Sequence, residues 1–151
     1  MASISDIRTG APSVESGGTP GRAMPNGRGP MSELLILALT LWGEARGESL
    51  LGKFAVADVV LTRSASRGQS ISEVCKEPRQ FSCWDAGRPE ADYLSKEWRD
   101  CLFVARKVME KGYQIKVDAD HYHAKSVRPI WVVGMKRVER IGNHVFYRAN
   151  S

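Results

Sequence analysis

Leu34-Leu35-Ile36-Leu37-Ala38-Leu39-Thr40-Leu41 runs straight into Trp42-Gly43-Glu44-Ala45-Arg46-Gly47-Glu48, and the junction between the two decides the fold. The first stretch has no polar face, so it predicts a helix buried on most sides. Ser32 is placed to cap its N-terminus and Glu33 to favour its first turn. Two carboxylates and a guanidinium then appear where the helix should end, with glycines at 43 and 47. A buried helix that delivers a carboxylate to its own end suits general-acid chemistry, because desolvation favours the protonated form. The same residues also fit a plain helix terminus with a solvated Glu-Arg-Glu cluster.

Outward from this junction, the chain divides at about residue 30. Residues 1–30 carry glycines at 10, 17, 18, 21, 27 and 29 and prolines at 12, 20, 25 and 30, with few large apolar groups. Such a segment cannot repay its ordering entropy by burial, so it is expected to be disordered or ordered only by a partner. Residues 31–151 are then the folded domain. Ser49 caps a second helix expected through about Thr62, with Leu50, Phe54, Ala57 and Leu61 along one face. Ser70-Ile71-Ser72-Glu73 reads as a capping box opening a short helix that Pro78 stops. Ser95 caps a further helix with the stripe Trp98, Leu102, Ala105 and Met109, and Gly112 is expected at its C-terminal side. Beyond Tyr113 the helical period disappears. Asp120–Ala124 and Pro129–Val133 have no helical period, and Ile141–Tyr147 predicts a short β segment around Gly142-Asn143. The class is α+β, mainly α, with a small β-rich C-terminal lobe.

The 151 residues carry a net charge of +5, which points to an anionic partner. The basic residues are scattered rather than gathered into a stripe, which argues against nucleic acid. The apolar run at 34–41 is too short to cross a bilayer, so no membrane insertion is expected, and the first thirty residues contain no signal-peptide core. Cys75, Cys83 and Cys101 form no C-x-x-C pair and read as reduced thiols or core fillers.

All three histidines, 121, 123 and 144, fall in the C-terminal lobe. His121-x-His123 on a strand would point both imidazoles to one face, but no cysteine completes a zinc set and Asp118 or Asp120 would have to contribute. Structural or substrate-facing histidines are the expectation, with no metal and no cofactor. Phe81, Trp84, Tyr122, Trp131 and Tyr147 lie off the helical stripes, beside Gln, His and Asp. Flat aromatic faces next to such groups suit a groove for sugar rings; they equally suit the core of a small lobe.

Gly43-Glu44-Ala45-Arg46-Gly47-Glu48, Gly52, Ala55-Val56-Ala57, Gln80-Phe81-Ser82, His121-Tyr122-His123-Ala124, Pro129, Trp131 and Ile141-Gly142-x-His144-x-Phe146-Tyr147 occur in one order. This series resembles the cell wall hydrolase family of the spore cortex-lytic enzymes, in its proteobacterial and phage version, over about residues 36–148. The resemblance implies a lysozyme-like fold of lytic-transglycosylase type and cleavage of the peptidoglycan glycan strand, with Glu44 catalytic. Arg46, Glu48, Gln80, Phe81, Ser82, Trp84, His121, Tyr122, Trp131 and His144 are the residues expected to bind substrate or shape the site. Thr62-Arg63 departs from the family's usual Asn-Arg, and Asp120 stands where Thr commonly precedes His-Tyr, adding a negative charge near the site. A phage enzyme would lie in the host cytoplasm before lysis or be packaged, and would act on the periplasmic wall. Residues 1–30 would then serve contacts with virion proteins. The competing expectation is a non-enzymatic virion component that grips the envelope with the same fold.

Overall fold

The computed structural model describes residues 31–149. The expectations for residues 1–30 fall outside the described residues. Four helices, α1 (Glu33–Ala45), α2 (Leu50–Arg67), α3 (Ile71–Lys76) and α4 (Lys96–Val108), precede three strands, β1 (His121–Ala124), β2 (Lys136–Ile141) and β3 (His144–Arg148). The strands form one antiparallel sheet in the order β1-β3-β2. The class is therefore α+β and mainly α, as the sequence predicts.

Serine starts all four helices. Ser32, Ser49, Ser70 and Ser95 each accept a hydrogen bond from the backbone N–H three residues on, and Ser70 with Glu73 completes a reciprocal capping box. The apolar run of α1 is central: Ile36 to Leu41 are buried, and the helix packs against α2, α3 and α4. Thr40, the one polar residue of the run, returns its hydroxyl to the Ile36 carbonyl at 2.8 Å, so its burial leaves no donor unpaired.

Four points differ from the sequence expectations. α2 continues past Thr62 to Arg67, because Arg63 is fully buried and extends the inward face made by Ala55, Val56, Val59 and Val60. That face carries the core; of the expected stripe Ala57 is fully buried, Phe54 and Leu61 pack at the core's margin, and Leu50 is 43% exposed. In α4 the buried set is Trp98, Cys101, Val104, Ala105 and Val108, while Met109 ends the helix as its C-cap and Gly112 lies in the turn beyond. Finally, β2 is a strand that the sequence does not predict. It lies at the sheet edge, exposed from Lys136 to Arg140, with a register shift between Arg137 and Glu139. A charged, bulged edge of this kind resists pairing with another chain.

Two buried polar groups join the helices to the lobe. Asp58 of α2 accepts from the Tyr113 hydroxyl (2.8 Å) and from the backbone N–H groups of Lys116 and Val117 (both 3.0 Å). Burial nonetheless holds its carboxyl above the ordinary aspartate range. Arg63 donates from Nε to the Asp120 carbonyl at 2.6 Å, just before β1, and burial lowers its pKa to about 8. The three cysteines are free, with Cys75 and Cys101 in the core, where desolvation raises their thiols to about 12.

Candidate active site

Glu44 occupies the last turn of α1, half-buried. Its Oε1 accepts a hydrogen bond from the Tyr122 hydroxyl at 2.6 Å, across 78 residues of sequence. Tyr122 is itself buried in β1, its ring edge-on to His144 and tilted against Phe146. Desolvation first, then the neighbouring Glu44 carboxylate, keeps the phenol protonated far above its ordinary range, so Tyr122 acts as a donor. The aromatic ring that looks from sequence like a sugar platform therefore serves to fix the carboxylate.

A second contact comes from the segment between α3 and α4. Its 3₁₀ turn, Ser82–Trp84, lies along α1. Gly43 permits this approach, since a Cβ there would overlap Cβ and Sγ of Cys83. Burial, followed by the charge of Glu44 and a hydrogen bond to it, pushes the Cys83 thiol well up, so it is a neutral donor and not a nucleophile. Trp84 donates its indole N–H to Thr40 at 2.9 Å, one turn before Glu44 on the same face of α1, and Lys76 sits over its ring. Phe81 is fully buried, so it packs the core and offers no face to a ligand. Ser82 is exposed, and the half-buried Gln80 has a buried side-chain carbonyl with no partner among the described residues.

Glu48 does not share a helix face with Glu44. α1 ends at Ala45, and Lys53, buried in α2, clasps the exit by donating to the carbonyls of Arg46 (3.1 Å) and Glu48 (2.5 Å). Glu48 reaches instead to the β2–β3 turn, where both its oxygens are taken by Asn143: Oε1 by the backbone N–H at 3.0 Å, Oε2 by the side-chain amide at 2.9 Å. Gly142, at φ +59°, makes room, because a Cβ there would overlap Oε1. Burial alone would raise the Glu48 carboxyl. The two Asn143 bonds, with His144 and Lys53 nearby, outweigh it and hold the group below the ordinary glutamate range. Arg46 is exposed and folds back on α1, its guanidinium 5.0 Å from the Trp42 ring and bonded to the Trp42 carbonyl. Arg46 and Glu48 line a concavity of about 440 Å³ with Lys53 and the start of α4. Glu44 points elsewhere, towards Tyr122 and Cys83.

The histidines separate by strand parity. His144 is buried near Glu44 and Glu48, and its Nδ1 has no hydrogen-bond partner among the described residues. Desolvation lowers its pKa in spite of those two carboxylates, so the imidazole is neutral at neutral pH. His121 and His123 take the other face of the sheet with Trp131 and Tyr147, in a stack with centroids 5.2–5.8 Å apart. Trp131 and His121 therefore do not border Glu44. Asp120, whose charge the sequence places near the site, is spent on His121 Nδ1 (2.9 Å) and the Ala149 N–H (3.0 Å). Burial opposes its ionisation, but these bonds lower its carboxyl overall. Among the described residues no three His, Cys, Asp or Glu side chains gather as a metal site would require. Cys83, Lys53 and Asn143 are site neighbours that sequence reasoning missed. Gly43, a lone Lys on an apolar helix face and the Gly142-Asn143 turn were their only signals.

A half-buried carboxylate at the end of a central buried helix, held by a tyrosine from a small antiparallel sheet, is placed where it could serve as a general acid. Residues 47–147 match the family model described as Cell Wall Hydrolase, and the chain belongs to that family. The matched span begins three residues after Glu44. The spore cortex-lytic enzyme of Bacillus cereus is 30% identical over 129 residues, covering 83% of this chain and 48% of that protein. The one from Oceanobacillus iheyensis is 30% identical over 135 residues, 87% of this chain and 47% of that protein. The chain thus spans about half the length of these relatives. Among solved structures, the catalytic domain of the germination-specific lytic transglycosylase SleB from Bacillus anthracis superposes with TM-score 0.60 at 25% identity, over 86% of this chain and all of that one. The Bacillus cereus SleB catalytic domain gives TM-score 0.59 at 27% identity, over 87% of this chain and all of that one.

Proposed function

We propose that this protein cleaves the glycan strand of peptidoglycan by the lytic-transglycosylase route, with Glu44 as the single catalytic acid and base. The observation that carries this reading is the division of labour between the two glutamates. Among the described residues Glu44 is held only by side chains, the Tyr122 hydroxyl at Oε1 and the neutral Cys83 thiol, neither of which carries a compensating positive charge, whereas Glu48 has both oxygens engaged by Asn143. Glu44 protonates the glycosidic oxygen between N-acetylmuramic acid and N-acetylglucosamine, and the leaving sugar departs with that proton. The resulting carboxylate then takes the proton of the muramic primary hydroxyl, whose oxygen closes on the anomeric carbon. Water is not consumed and the acid is regenerated. A hydrolase would need a second free carboxylate at about 5–9.5 Å, and Glu48 is committed to the hairpin turn.

The geometry also supports a role for His144. Its neutral imidazole packs edge-on against the Tyr122 ring beside Glu44, with Nδ1 buried and unpartnered among the described residues, so it can position the Tyr122–Glu44 pair. The setting we propose is a phage lysin acting on the periplasmic wall; support comes only from the Gly- and Pro-rich composition of residues 1–30. Mass spectrometry of muropeptides released in heavy-oxygen water tests the chemistry. Anhydromuramic ends without label are expected; labelled reducing ends would overturn the transglycosylase route.

A further inference from the structure

The solvent-facing side of the sheet carries a second concavity, of about 290 Å³, lined by His123, Lys125, Arg128, Arg137, Arg140 and Tyr147, among others. Four cations border it and no carboxylate does. None of the four makes an ion pair among the described residues; Arg140 donates only to the Gly142 carbonyl, at 3.3 Å. The concavity beside α1 differs in this respect, because there Arg46, Lys53 and Lys96 alternate with Glu48, Asp92, Glu97 and Asp100. Unmatched cations around one depression repel one another unless an anion joins them.

The floor of this depression is ordered. His123 is 5% exposed, and its ring is fixed by the Ala124 carbonyl at Nδ1 (2.7 Å) and the Tyr147 hydroxyl at Nε2 (3.2 Å). Trp131 packs against both rings and braces them. The volume is at the lower end for small-molecule sites and suits a short chain end, not a polymer backbone. Its position relative to the catalytic carboxylate is informative. Tyr122, which holds Glu44, and His123, which lines the depression, are consecutive residues of β1, an outer strand of the sheet.

From this geometry we infer that the basic depression on the outer face of the sheet binds the carboxylates of the peptide stems carried by the glycan substrate. The inference rests on peptidoglycan being the substrate. A stem of four residues reaches at most about 14 Å, and the depression comes nearest to Glu44 through β1, the edge strand that carries both Tyr122 and His123. Guanidinium groups suit planar carboxylates, since they can bind both oxygens at once. Tyr147, Val127 and Val145 of the lining would hold the apolar part of the stem.

The test titrates a synthetic free tetrapeptide stem into the full-length protein, followed by amide and imidazole NMR shifts. Saturable shifts at His123, Val145 and Tyr147 are expected, with at least about 10-fold weaker binding to R137Q/R140Q and recovery in R137K/R140K. The same peptide with its carboxylates amidated should not bind. Equal binding of the amidated peptide, or of R137Q/R140Q, would overturn the inference. So would inorganic phosphate displacing the peptide at equimolar concentration, which would assign the depression to phosphate groups. In cleavage assays R137Q/R140Q should raise KM for stem-bearing glycan about 10-fold with kcat unchanged, and should not alter cleavage of stem-free glycan. If no glycan is cleaved at all while the peptide still binds, the catalytic reading has failed and the site stands.

Discussion

Tyr122 and His123 are neighbours in β1, yet they serve opposite faces of one small sheet. On the inner face Tyr122, His144 and Phe146 pack towards the helices, and the two carboxylates beneath them each have a fixed partner: Tyr122 on Glu44, Asn143 on Glu48. On the outer face His121, His123, Tyr147 and Trp131 stack on one another, ringed by cations that nothing in the described residues neutralises. The inner face spends its polarity on holding one carboxylate, and the outer face leaves its charge open to a ligand. If the proposed function holds, both faces would act on one substrate, and period-two alternation would separate bond cleavage from recognition without a second domain.

The largest effect should come from Glu44→Gln. It keeps the volume and the Tyr122 hydrogen bond but removes the transferable proton, so glycan cleavage should fall by about 10²–10⁴-fold or more at unchanged Tm. Activity within a few-fold of wild type would take the chemistry away from the inner face. Tyr122→Phe comes next. The ring stays against His144 and Phe146 while the hydroxyl on Glu44 is lost, which should cost about 10- to 100-fold in kcat with little change in KM. If Tyr122→Phe alters KM alone, the phenol binds sugar and does not position Glu44.

The acid dependence of stability sharpens the inner face further. Folding depresses the pKa of His144 from its ordinary 6.5, so the unfolded chain takes up a proton that the folded one refuses. Stability should therefore fall as pH drops below about 6.5, down to the folded value. The Glu48 carboxyl is also depressed, from 4.5, and its contribution is present above that value and lost as pH falls through the lower folded one. Two successive acid limbs are expected in urea titrations. His144→Phe should flatten the first and Glu48→Gln the second; a variant curve parallel to wild type would show that the residue is not held as described.

Local rules made much of the fold legible. Four serine caps, the apolar run of α1 and the Gly142-Asn143 turn each follow from short-range chemistry, and each lies where it is expected. What stayed hidden depends on long-range partners. β2 gives no strand signal, because Lys136-Arg-Val-Glu-Arg has no apolar face and is a strand only by pairing with β3. α2 reads as ending at Thr62, since a buried Arg63 makes sense only with the Asp120 carbonyl 57 residues away. In the site, Glu44 stands out as an abrupt charge after an apolar helix. The splitting of His121 and Trp131 from Tyr122 and His144 depends on strand parity, and Cys83 at Glu44 depends on which loop crosses Gly43.

The smallest expected effect is none, and it bears on whether the two faces are separate. A zinc site built on the three histidines would need their imidazoles to converge within bonding distance of one ion. His121 and His123 share the outer face, where their Nδ1 atoms are engaged by Asp120 and by the Ala124 carbonyl, and His123 Nε2 meets the Tyr147 hydroxyl. His144, paired with Ala124 across the β1–β3 register, lies on the inner face against Tyr122. Bringing it round would require a one-residue slip of β3, which would turn Phe146 out of the core and break the Tyr122 contact with it. EDTA at millimolar concentration should therefore leave both Tm and glycan cleavage unchanged. A loss of either that zinc restores would mean that the imidazoles meet, and the division between a cleaving face and a binding face would have to be abandoned.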